Sequence, residues 1–393
     1  LKYDSLPELP QITENVRYDG SLKASVILKD LAPFVPALSR FEEPLDLNLV
    51  FSGHGKHLDC PTLRLTNHHG LMIAGEAALS NWDAGMDMYI YGKLGNLTMT
   101  KEGINVLMTN LTGKVPPILQ RLDYIRFNGE AAGYLHDLTL TGLFHTGAGM
   151  VKTDVMMSID EQSMSRTYSG SVASADLDLG KLLNQEKKFG KVDFNVELKG
   201  FNYKNRYPES YIKGIISSFE YSQYQYENIM LDGVYKDGGF NGRLSMDDAN
   251  GSVQIDGNFN VAKTIPDFNL KASVKNLRPH DLHLSDKYEN ASISLGLTAD
   301  FTGKSIDDMN GRISLDSLQL NAPDEGGCFL DNLTITAGQV SGEKELRINS
   351  SFMTAVIRGD YSYHTIPASV VKTVQRYIPS LLTIKDNMPE PHN

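Results

Sequence analysis

Alternation with a period of two runs almost end to end through this 393-residue chain and limits its fold more than any other feature. In VDFNVELKG, residues 192–200, Val192, Phe194, Val196 and Leu198 project to one side of an extended backbone. Asp193, Asn195, Glu197 and Lys199 project to the other. The same rhythm marks LDLNLVF (45–51), LMIAGEAAL (71–79), MDMYIYGKL (86–94), INVLMTN (104–110), ISLGLTADF (293–301), LTITAG (333–338) and LRINSSFMTAVI (346–357). Turn-forming clusters punctuate these runs: NWDAG, GKLGN, TKEG, KDGG, DDANG, DEGG and SGEKE. The pattern predicts an all-β chain of short antiparallel strands, apolar on one face and polar on the other.

Helical segments interrupt the strands at a few places. VPPILQRLDYI (115–125) puts Ile118, Leu122 and Ile125 on one face after two prolines. DLGKLLNQEKK (178–188) offers Asp178 as an N-cap, with Leu179, Leu182 and Leu183 inward. PASVVKTVQRYIPSLL (367–382) stacks Val370, Val374, Tyr377 and Leu381 at helical spacing. A repeat is also visible. DLAPFVPALSRFEEPLDLNLVFSG (30–53), DLGKLLNQEKKFGKVDFNVELKG (178–200) and DLHLSDKYENASISLGLTADFTG (281–303) each open on Asp-Leu, pass through a short helix or turn, and close a strand on glycine. Repeated units that cannot bury their own apolar face stack into arrays. The expected organisation is therefore one continuous array over 1–393. Its units fall near 30–114, 115–177, 178–280 and 281–366, followed by an amphipathic helix at 367–382 and a polar tail at 383–393.

Composition narrows the function classes. The net charge is -11 with acids and bases interspersed, which argues against a nucleic-acid binder with its basic stripe. The longest apolar-leaning run, LAPFVPALS, falls far short of the ~20 residues of a membrane-spanning helix. The opening LKYDSLPELP has no initiator Met and no apolar leader, so the chain reads as part of a longer polypeptide. Two cysteines, Cys60 and Cys328, build neither a disulfide framework nor a CxxC zinc site.

Chemical motifs are sparse. Ser369 and Lys372 match SxxK without its usual partners, and an amphipathic helix explains them. His54, His57, His68 and His69 lie near Cys60, and a hairpin bringing HGKH opposite NHH would offer metal ligands; exposed strand-edge histidines are the plainer reading. DDANG lacks the later glutamate of a calcium loop and reads as a turn. No catalytic or metal residue is expected, and no cofactor.

The cassettes at 30–53, VPPILQRLDYIRFNGEAAGYLHDLTLTG at 115–142, and the cassette at 178–200 resemble the AsmA-like superfamily of Gram-negative bacteria. GSVQIDGNFNVAK and GRISLDSLQL are similar to its middle repeats, and the Tyr- and Asn-rich SSFEYSQYQYENIM gives a Bacteroidetes flavour. The resemblance implies an elongated, curled antiparallel sheet, a β-taco-like trough with a few short amphipathic helices. It implies a non-enzymatic periplasmic bridge, held in the inner membrane by a segment outside this chain. Phospholipid moving between the membranes for outer-membrane biogenesis is the implied cargo, and an outer-membrane barrel of the insertase family the implied partner, reached through other regions. On this reading Leu45, Leu47, Leu49 and Phe51 line the groove with Val192, Phe194, Val196 and Leu198 and with Ile293, Leu295, Leu297 and Phe301. The alternatives from the residues alone are an extracellular β-sandwich adhesin or binding module, in which the same side chains fill a core, and a hydrolase on a β-solenoid.

Overall fold

The computed structural model describes residues 16–31, 39–82, 84–160, 162–163, 165–202, 209–286, 289–304, 306–323, 327–360 and 362. The expected helix at 367–382, with its SxxK, and the tail at 383–393 lie outside these. Among the described residues the chain is all-β and antiparallel, with twenty strands and three short α-helices, and these strands do not close into a barrel. The chain divides into two compact units, 1–227 and 228–393.

In the first unit the strands are β1 (Arg17–Ile27), β2 (Pro44–His54), β3 (His57–Thr66), β4 (Leu71–Ser80), β5 (Tyr89–Thr100), β6 (Tyr124–Tyr134), β7 (Asp137–Thr146), β8 (Gly149–Ile159), β9 (Arg166–Asp178), β10 (Phe189–Asn202) and β11 (Glu209–Tyr221). From β1 to β11 each pairs antiparallel with the next. β12 (Tyr224–Lys236) crosses the boundary. The second unit continues with β13 (Gly239–Asp248), β14 (Gly251–Asn260), β15 (Asp267–Leu277), β16 (Ser292–Thr302), β17 (Asn310–Asn321), β18 (Cys328–Val340), β19 (Glu343–Ser350) and β20 (Thr354–Arg358), again paired in order.

Most expected strands lie where the alternation placed them, and the departures have local causes. GKLGN falls inside β5, where the ladder shifts register between Leu94 and Leu97 instead of turning. LRINSSFMTAVI is two strands, β19 and β20, because Ser350 turns the chain by accepting the Met353 N–H on its hydroxyl at 3.0 Å. Pro61 cannot donate to a ladder, and β3 shifts register there against both β2 and β4.

INVLMTN is the clearest correction, since it is helical within α1 (Lys101–Thr112). Thr100 caps the helix by accepting the Gly103 N–H on its hydroxyl at 3.2 Å, and that hydroxyl donates to the His69 carbonyl at 2.6 Å. Gly113, at φ 77°, closes the other end with its N–H on the Thr109 carbonyl. Ile104, Leu107 and Met108 also satisfy a helical repeat, so a short apolar run fitted both periods. α2 (Pro117–Gln120) is shorter than expected, since Tyr124 already begins β6. α3 (Leu179–Leu183) starts as read, with the Asp178 carboxylate accepting the Lys181 N–H at 2.8 Å, but ends early at a left-handed Asn184.

In a meander the connections leaving odd-numbered strands all fall at one end of the sheet. In the first unit the three α-helices follow β5 and β9, four strands apart, so they share one end. In the second the longest described insert follows β15, and its Leu282 is 0% exposed. Thus the repeated Asp-Leu opening plants a leucine over the end of the sheet: Leu282 in the third cassette and Leu179 against the core in the second.

Two outcomes follow in urea unfolding. Thr100→Ala should cost about 1 kcal/mol through the lost cap. Leu282→Ala should cost about 2–5 kcal/mol. Unchanged midpoints would show that these inserts are not docked.

Candidate functional site

The ladders carry apolar side chains across the first unit in rows. One row begins at Leu47 and runs Leu65, Ile73, Leu97, Phe127, Phe144, Val151, Ser174 and Phe194 to Ile216. The next runs from Leu49 through Leu63, Gly75, Leu94, Gly129, Gly142, Thr153 and Val172 to Val196 and Gly214. The structure thus places the candidates of β2 and β10 on one face, two of each in shared rows. Leu63, Leu65, Ile73, Leu94 and Leu97 belong with them; sequence reasoning took only the strands that follow a cassette, although LMIAGEAAL already showed Ile73 in an alternating run.

The second unit repeats the device. Leu297 lies in a row with Leu231, Leu244, Ile255, Ala272, Leu315 and Leu333. Phe301 ends a row of aromatics comprising Tyr235, Phe240, Phe259 and Phe268, with ring centroids 5.8 Å apart at Phe240–Phe259 and 4.8 Å at Phe268–Phe301. Leu295 faces Val274, and Ile293 faces Leu277 and Leu320.

Burial falls off along β2 and β10 of the first unit, whereas on β3 the buried residue, Cys60, lies at the end away from the helices. Leu45 and Val192 are each 6% exposed, whereas Leu47, Leu49, Phe51, Phe194, Val196 and Leu198 are half-buried. The four candidates of β16 are half-buried as well. A face packed against a second sheet would draw its central side chains into the buried class. Here the fully buried end lies under the helices. Ile104 of α1, Leu122, Ile125, Ala148, Leu177 and Val192 form the core cluster, with Leu119, Leu179 and Leu182 packed on it. Asp123, just past α2, meets Lys181 of α3 at 2.6 Å, and Arg121 donates to the Leu182 carbonyl. Lys181 also holds the Asp123 carboxyl below its usual range.

Beyond this roof, glycines lower the face. Phe127 lies across Gly129 and Gly142, so a Cβ at either would run into its ring. Phe240 covers Gly233 in the same way. A bulky aromatic over a glycine keeps strand geometry while filling the missing side-chain volume.

The histidines do not converge. HGKH lies at the β2–β3 turn and NHH at the β3–β4 turn, opposite ends of β3. His57 meets Ser80 at 2.7 Å and Asp59 at 2.9 Å. His69 bridges Glu102 of α1 at 2.7 Å and Glu43 at 2.9 Å. Among the described residues no group of three or more histidines, cysteines or acids is arranged to hold a metal ion. Cys60, buried, and Cys328, exposed, are free thiols, and burial pushes the Cys60 thiol up. DDANG is the β13–β14 turn, with the Asp248 carboxylate accepting the Asn250 N–H at 2.8 Å.

Comparison with known proteins finds no matching family model, no curated protein and no solved structure.

The His69 clamp gives a signed pH effect. The hydrogen bond to Glu102, with the charge of Glu43 adding, holds the imidazole above its ordinary value. A raised folded value means the clamp contributes fully below about pH 6.5, the unfolded value, and is lost as pH rises through the folded value. Melting followed from pH 5 to 9 should therefore show wild type losing stability relative to His69→Gln on the alkaline side. Parallel curves would exclude the clamp.

Proposed function

We propose that the half-covered apolar rows are a surface for lipid acyl chains, and that the chain belongs to the AsmA-like superfamily as a segment of a TamB-like translocation and assembly module protein. The observation that carries this reading is the fall in burial along β2 and β10, from the row under the helices to the rows beyond it. Apolar side chains are aligned strand after strand, yet left half-covered beyond the helical roof. Keeping such rows incompletely packed forgoes about 25 cal/mol for each Å² left in water, and an acyl chain would recover it. On this reading the protein is not an enzyme; it works in the periplasm, is anchored by a segment outside this chain, and gives phospholipid an apolar path toward the outer membrane. No helix among the described residues is long and apolar enough to cross a membrane.

Position along the strand makes the reading testable. Val192 lies under the helices at 6% exposure, so Val192→Asp buries an unpaired carboxylate and should destabilise the fold by at least ~2 kcal/mol. Val196 lies farther along the same strand and is half-buried, so Val196→Asp should fold and lose co-purifying phospholipid in native mass spectrometry. Unfolding of both variants would favour a packed core and the adhesin-type reading. Phospholipid retained by folded Val196→Asp would remove this face from the path.

A further inference from the structure

α1 has two flanks. One, carrying Ile104 and Met108, packs into the core cluster. The other, carrying Val106 and Leu107, roofs a separate pocket of about 140 Å³ over β2, β3 and β4. Leu45, Leu65, Leu71 and Ile73 line the pocket from below. Its polar contributors are Glu43, Asn67 and Asn110.

From this geometry we infer that the pocket under α1 is a terminal seat for the methyl end of an acyl chain lying on the sheet. The inference rests on the lipid reading above and specifies where a chain ends. Three observations support it. The size is that of a known apolar cavity, since an engineered space of about 150 Å³ lined by Leu, Ile and Phe stays dry and accepts benzene. The floor is not isolated, because Leu65 and Ile73 are members of the Leu47 row, whose neighbours Leu63 and Gly75 continue outward along the same strands. The charge at the pocket is the wrong sign for an anionic headgroup: Glu43 contributes to the lining, and its bond to His69 places Glu102 close by. A chain therefore enters by its uncharged end, with its headgroup left away from α1. Because α1 is held by Thr100, His69 and the core cluster, its roof is fixed, and the seat is a stop and not an open channel.

The test uses purified protein loaded with a diacyl phosphocholine bearing a diazirine at the end of one acyl chain. After irradiation, adducts are mapped by peptide mass spectrometry. The seat predicts adducts on peptides from α1 and β4, around Leu107 and Ile73. Val106→Trp, which fills the pocket, should reduce those adducts at least tenfold while leaving adducts on β10 near Val196 and Leu198. Adducts on β10 with none on α1 or β4 in wild type would overturn the seat and leave the lipid reading standing. Absence of adducts anywhere would overturn the lipid reading and the seat together. The wild-type map decides the matter even where the tryptophan variant fails to fold.

Discussion

Everything in each unit depends on the antiparallel ladder staying in phase from strand to strand. A strand has a side-chain period of two, so a single uncompensated slip would move every later apolar residue to the wet face. The ladders do contain irregularities, at Pro61, at Leu94–Leu97 and beside Phe194, yet the rows resume on the same face after each. Leu47 and Phe194, far apart in sequence, share a row for that reason. The bulges absorb local misfits without losing the face.

The helical inserts solve a second problem. An apolar face with nothing on it exposes its end rows as well as its middle. In the first unit the inserts after β5 and β9 fold α1, α2 and α3 over one end, tied by Lys181 to Asp123 and by Arg121 to the Leu182 carbonyl. Their cluster gives the sheet a compact anchoring core, while the rows through Leu49 and Val196 remain half-covered. Stability and an accessible apolar surface are thus separated along β2 and β10.

Much of this was legible in the sequence because strand alternation is a local signal. The twelve groove candidates lie on β2, β10 and β16, strands that the alternation marked, although their partners are not all apolar: Phe194 lies opposite Ser174 and Leu198 opposite Gly170. What the sequence hid was non-local. Ile104 to Asn110 alternates well enough to pass for a strand; its helical fate depends on the Thr100 cap and on a core contributed by Leu122, Ile125, Leu177 and Val192. The difference between Val192 and Val196 was also invisible, because the roof that separates them comes from segments over fifty residues away for α1 and α2. Turn residues misled at GKLGN, where glycine and asparagine serve a bulge inside β5.

The central claim is that one face of these strands meets acyl chains and the other meets water. The most direct measurement places bimane on single cysteines at Val196→Cys, Glu197→Cys, Leu198→Cys and Lys199→Cys, with Cys60→Ala and Cys328→Ser removing the native thiols. Bound phospholipid with brominated acyl chains then serves as the quencher. The account predicts quenching at 196 and 198 and little at 197 and 199. Equal quenching at all four positions, or none at 196 and 198 with lipid bound, would contradict it.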